Sequence, residues 1–206
     1  MKHLLGLLLL LALCGMLAAT DLRLLVGLDA AGETVKQNDG FIVGNANIIV
    51  PTVSAQFENK NKNLIYGFGV DYQFPRKNVK LPGDGQSNLG NHSYIPVYGL
   101  LSYNFLSTDK ISTEVIGQLG YSFPFFEFPN NDDNERYSVK GGLFTGLGFG
   151  INNNNLTLNV LYRVNTIRIK NEEFVHNAWE EDFASDYHTR QFNVSLGYRF
   201  GPKKQK

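Results

Sequence analysis

The chain has 206 residues, with 19 Lys and Arg against 19 Asp and Glu, and charged residues are only 18% of it, below the roughly 25% of an ordinary soluble domain. Aromatics reach 13%, and 21 Gly and 22 Asn take the place of much of the usual Lys and Glu. The length suits one domain, the neutral balance gives no basic stripe for nucleic acid, and a mean hydropathy below zero excludes a bundle of membrane helices.

The first element is a leader. Met1-Lys2-His3 is a short basic start, Leu4 to Leu13 is a nearly pure Leu run, and small residues follow up to Thr20. That order is the secretory pattern, and its apolar core is shorter than the roughly 20 residues that span a bilayer. Residues 1–20 are therefore expected to be a cleaved signal peptide, with a retained anchor helix and an acylated Cys14 as the alternatives. Cys14 is the one cysteine, so the mature chain is expected to hold no disulfide and no Cys-based metal site.

From residue 21 onward the recurring signal is alternation with period two, about eight times over. The first strand sets Leu22, Leu24, Val26 and Leu28 against Arg23, Leu25, Gly27 and Asp29. The second (about 46–57) and the fourth (about 94–105) are blurred by Pro51 and Pro96, since proline removes a ladder donor. The third sets Leu64, Tyr66, Phe68, Val70, Tyr72 and Phe74 against Asn63, Ile65, Gly67, Gly69, Asp71 and Gln73. The fifth runs from Ile111 to Phe123 with Val115 and Leu119 on its apolar face and Glu114 on the other. The sixth, 138–151, has Leu143 and Leu147 opposed to Lys140, Gly142, Gly146, Gly148 and Gly150. The seventh has Leu156, Leu158, Val160, Tyr162 and Val164 opposed to Arg163, and the eighth has Phe192, Val194, Leu196, Tyr198 and Phe200 opposed to Gln191 through Arg199.

The links alternate too. Three are short, 58–62, 106–110 and 152–155, and four are expected to be long polar loops, roughly 31–45, 75–93, 124–136 and 170–187. Such a rule fits an up-and-down barrel with unlike compartments at its two ends. A soluble ligand-binding barrel would carry Lys and Glu on its outside. Here the less greasy faces carry Gly, Ser, Asn and Gln, which suit the inside of a narrow tube. The apolar faces are then lipid-facing: Leu64, Tyr66, Phe68, Val70, Tyr72, Val115, Leu119, Leu143, Leu147, Leu158, Val160, Tyr162, Val194, Leu196 and Tyr198. Tyr–Phe pairs bunch at the ends of these runs, as in interfacial girdles.

The leader, the eight amphipathic strands, the link rule and the final strand Phe192–Phe200 together resemble the small OmpA/OmpX-like outer-membrane β-barrels of Gram-negative bacteria. The resemblance covers residues 21–200, with 201–206 a short basic tail. It implies an all-β, eight-stranded antiparallel transmembrane barrel in the outer membrane, in contact with lipid or lipopolysaccharide. It also implies recognition by the outer-membrane assembly machinery through Tyr198 and Phe200, although the tail places that aromatic six residues before the end.

Inside such a barrel side chains fill the bore, and buried charges need partners. A polar network is expected from Asp29, Asp71, Glu114, Lys140 and Arg163, with Arg23 and Arg199 meeting water near the short links. No catalytic, cofactor-binding or metal-ligating constellation stands out. His92, His176 and His188 are expected in or beside loops, and the His–Ser arrangement of lipid A-modifying barrels has no match. The expected function is structural or surface-interacting and non-catalytic, with an extracellular loop ligand possible. A narrow porin-like channel is the first alternative, and a lipid A-modifying enzyme is the second.

Overall fold

The computed structural model describes residues 21–36, 42–46, 49–76, 91–108, 110–127, 135–175 and 178–201. The leader and residues 202–206 lie outside them, as do His176 and most of the 75–93 link. Nine strands follow one another: β1 Asp21–Lys36, β2 Ile42–Ala46, β3 Val50–Asn61, β4 Leu64–Arg76, β5 Asn91–Ser107, β6 Ile111–Glu127, β7 Glu135–Asn153, β8 Leu156–Val175 and β9 Ala178–Phe200. Every pairing is antiparallel, and neighbours in sequence pair throughout β3 to β9. β1 pairs β3 over Asp21–Asp29 and β2 over Gly32–Val35, so β2 and β3 are two pieces of one stave. On its other side β1 pairs β9 from Leu22↔Phe200 to Lys36↔Tyr187. The sheet thus closes with eight staves, and no edge is left open along β1 and β9, as hydrocarbon requires.

The registers fix the size of the tube. Followed from Leu22, successive partners are Phe57, Phe68, Gly99, Leu119, Thr145, Val164 and Arg190, and Arg190 meets β1 again at Glu33. The return is eleven residues along, one of which is the bulge between Ala30 and Glu33, leaving a shear of ten. Eight strands with that shear tilt by about 40° on a backbone cylinder of radius about 8 Å. Only side chains fit inside.

Local chemistry explains the joints. The turns Lys62-Asn63 and Asn154-Asn155 each begin on a left-handed residue, with φ of 53° at Lys62 and 54° at Asn154. Two-residue turns of this hand match the twist of the strands they join. Thr108 closes the third short link: its N–H donates to Ile111 O at 2.8 Å, and its Oγ1 accepts from Ile111 N at 3.1 Å. Pro51 and Pro96 sit within strands after all. Around Pro96 the β4–β5 ladder keeps its register from Val70↔Val97 to Gln73↔Tyr94, and the rungs between are missing, as a residue without N–H dictates.

The faces separate as the alternation predicts. Leu64, Tyr66, Val115, Leu119, Leu143, Leu147, Leu158, Val160, Tyr162, Val194, Leu196 and Tyr198 are exposed on the outer surface, and Phe68, Val70 and Tyr72 are half-buried there against their neighbours. Phe68 stacks on Phe57 at 5.1 Å. Edge-to-face pairs Tyr72–Phe74 and Tyr121–Phe123 lie at the long-link end, and Tyr198–Phe200 lies at the short-turn end. On β8 and β9 the exposed apolar stretch covers 156–164 and 192–200, a band roughly 20–25 Å tall at that tilt.

The long links are a correction. Their described parts are strand, not loop, and this covers most of the 31–45 and 170–187 links. β8 and β9 stay paired up to Val175↔Ala178, so the 170–187 link is a hairpin. Beyond the apolar band the two faces exchange character. Arg168, Lys170 and Arg190 stand on the outer side, while Ile167, Ile169, Tyr187 and Tyr94 are buried inside. The alternation continues there with its polarity inverted, which is why it looked like a polar loop.

Glycines mark where strands and side chains come closest. A Cβ on Gly148 would run into the Val160 carbonyl, whereas at Gly117 the nearest atom is 3.7 Å away. Gly148→Ala is expected to cost about 1–3 kcal/mol and Gly117→Ala to be neutral. Urea midpoints of the two refolded variants check the contrast.

Candidate functional site

The interior is built in storeys. The lowest is ionic. Arg23 Nε lies 3.1 Å from Glu58 Oε1, and its Nη1 donates to Glu114 Oε1 at 2.9 Å. Arg199 Nη2 lies 3.0 Å from the other Glu58 oxygen. Arg23, Glu58 and Glu114 are essentially inaccessible to solvent. Arg23 is thus a correction: it does not meet water at the short-turn end but sits at the centre of a buried cluster.

Above it Leu100, Ile116 and Leu161 form an apolar layer. The second ionic storey follows. Arg163 Nη1 lies 3.1 Å from Asp71 Oδ2 and 3.9 Å from Asp29 Oδ1. Tyr98 donates its hydroxyl to Asp71 Oδ1 at 2.7 Å and accepts from Gln56 Nε2 at 2.9 Å. Asp29 accepts from Asn193 Nδ2 at 2.8 Å and Gln191 Nε2 at 3.2 Å. Asn193 also reaches Thr52 Oγ1 at 3.1 Å. The storey thus ties β1, β3, β4, β5, β8 and β9 across the bore. Over it lie Phe144, whose ring is 5.2 Å from Tyr98, and Tyr94, bonded to Thr189 at 3.2 Å.

Of the five residues expected to form the interior network, Asp29, Asp71, Glu114 and Arg163 are buried inside, divided between the two storeys. Lys140 is not. It is exposed on the outer surface opposite Arg168. The register between β7 and β8 slips between Gly141 and Phe144, and a one-residue slip turns every side chain beyond it to the other face. Missed altogether were Glu58, read as part of a short link, and Tyr98, hidden by the proline in its strand. Glu58 shares the inward parity of Thr52, Ser54 and Gln56, and that signal was available had the strand been carried to residue 58.

β7 makes room for these groups. A Cβ on Gly146 would meet Gln118 Oε1 at 2.6 Å, and one on Gly150 would meet Asn159 Oδ1 at 2.7 Å and Glu114 Oε1 at 2.9 Å. Of the two described histidines, one departs from its expected place beside a loop and the other lies in the final strand. His92 is buried in β5 with its ring against Tyr94, and His188 on β9 shares a 3.1 Å hydrogen bond with Thr166 Oγ1.

No protein-family model matches the sequence, and no curated protein does. Among solved structures, the outer membrane protein OprG from Pseudomonas aeruginosa matches at a TM-score of 0.56 and 15% identity, over 89% of this chain and 97% of that one. The fold is that of the small outer-membrane β-barrels. The outer membrane protein AlkL matches at 0.54 and 15% identity, over 91% and 93%. Neisserial surface protein A matches at 0.50 and 10%, over 88% and 98%. The apolar outer band and the two storeys of the bore stand at the same depth of the barrel.

Proposed function

We propose that the protein is a non-catalytic barrel of the Gram-negative outer membrane, in which the barrel is the anchor and the long-link end is the surface offered to partners. One observation carries this reading: the bore is filled at successive levels by side chains with 0–1% exposure, Arg23 below, Ile116, Leu161 and Arg163 in the middle, Phe144 and Tyr94 above. A tube of this radius blocked by cross-braced ion pairs supports anchoring over conduction. On the outside, Tyr198 and Phe200 end β9 as an exposed edge-to-face pair, and we assign them the role of assembly signal. Planar-bilayer recording of the purified barrel in concentrated KCl is the test. Silence is expected, and discrete, reproducible conductance steps would replace the anchor reading with a channel.

A further inference from the structure

One seam of the barrel has no link to set it. β3 to β9 each follow their neighbour through a turn or link, and β1 reaches β3 through β2, but β1 and β9 meet only as the first and last staves. A slip of one residue at that seam would turn the apolar face of β9 inward. A slip of two keeps every side chain on its own face, so something else must forbid it. Inside the bore, side chains cross the seam at two levels. At the upper one Asp29 accepts from Asn193, its direct partner, at 2.8 Å and from Gln191 at 3.2 Å. Moving β9 two residues toward the short-turn end sets Gln191 opposite Asp29, which is again an amide donor, so this level tolerates the slip. The lower level does not. Arg23 stands directly opposite Arg199, a placement in which like charges repel, and both guanidiniums lie against one buried carboxylate. Glu58 Oε1 is 3.1 Å from Arg23 Nε, and Glu58 Oε2 is 3.0 Å from Arg199 Nη2. The same slip would carry Arg199 down to Asp21 and leave Gly197 opposite Arg23. Without Glu58, charge alone favours the slipped seam.

We infer that Glu58 is the register key of barrel closure. By holding Arg23 of the first stave and Arg199 of the last on its two oxygens, it makes the like-charged rung the stable one and fixes where the seam shuts. Buried ion pairs add little net stability against apolar replacements, and setting register is their best-attested use. The key also fixes the size of the tube. A slip of two in this sense lowers the shear from ten to eight, which narrows the cylinder around the side chains that fill it.

The test reads the register with disulfides on the outer face. Cys14, in the leader, is the one cysteine, so cysteine pairs introduced into the chain refolded from residue 21 report alone. Leu24 and Tyr198 are exposed and directly opposed, whereas the exposed Leu196 comes opposite Leu24 only after the slip. With Glu58 present, L24C/Y198C is expected to cross-link and L24C/L196C to give at least about tenfold less product, because a disulfide needs Cβ atoms within about 4.5 Å and diagonal neighbours stand about 7–8 Å apart. Glu58→Gln is expected to raise the L24C/L196C product at least about fivefold at the expense of the native one. Adding Arg199→Glu to it sets opposite charges on the rung and should restore the native product. Ile116→Ala, which opens a cavity in the apolar layer away from the seam, is expected to lower stability and leave the ratio of the two products unchanged. An unchanged ratio in Glu58→Gln overturns the inference, and so does a shift in Ile116→Ala as large as that in Glu58→Gln. If Glu58→Gln alone fails to refold, the double variant decides: the inference requires it to refold with the native cross-link, and its failure to do so refutes the key.

Discussion

Arg163→Ala is expected to lower the unfolding free energy of the refolded barrel by about 3–5 kcal/mol, read from urea titrations in micelles. The substitution leaves Asp29 and Asp71 inside the tube, 1% exposed, without the cation that Nη1 brings to 3.1 Å from Asp71. Their neutral donors, Tyr98, Asn193 and Gln191, remain, but dipoles do not replace a full charge in a medium that solvates poorly. Adding Asp71→Asn to Arg163→Ala should recover part of the loss, because one stranded carboxylate is removed. A double-mutant cycle would give a coupling of about 0.5–3 kcal/mol. If Arg163→Ala alone cost less than about 1 kcal/mol, water would have to reach the carboxylates, and the sealed bore would be wrong.

The second large effect is on the outside. Leu147→Arg should destabilise by about 2–4 kcal/mol in a bilayer, and Leu156→Arg by about 0–1, since the cost of a cation on the lipid face falls from midplane to interface. The two leucines are nearly equally exposed, 65% and 62%. Leu147 lies midway along the apolar band and Leu156 beside the Asn154-Asn155 turn. A barrel surrounded by water would treat both alike. Equal and small costs for the pair, measured by folding into vesicles, would refute the membrane reading of this surface.

Much of this architecture is legible in the sequence because a strand's period of two is indifferent to distance: each apolar face declares itself residue by residue. The alternation from Leu64 to Phe74 or from Phe192 to Phe200 needs no knowledge of its neighbours. What alternation lacks is phase information across an irregularity. Lys140 was assigned to the interior by counting back from Phe144, and the bulge at Gly141 reverses the count. Arg23 and Glu58 were missed as a pair because they meet only through the β1–β3 register, which sets Arg23 opposite Gln56 and brings Glu58 one step below. The upper hairpins were missed for a different reason. Ile167 and Ile169 alternate with Arg168 and Lys170 as regularly as any lower segment, but with greasy groups inside and charges outside, the arrangement of a water-soluble barrel.

That reversal has a consequence for how deep the molecule floats. The same ribbons serve two solvents, and the crossover on β8 and β9, between Val164 and Arg168 and between Phe192 and Arg190, acts as a waterline written into the chain. Shifting it by two residues, for instance by making Thr166 and Arg190 aliphatic, would sink the barrel by about 5 Å while keeping every backbone hydrogen bond of its wall, with the side-chain bond from Thr166 to His188 lost. Immersion depth is then an adjustable property, set by a handful of outward side chains and independent of the ion pairs that hold the cylinder together.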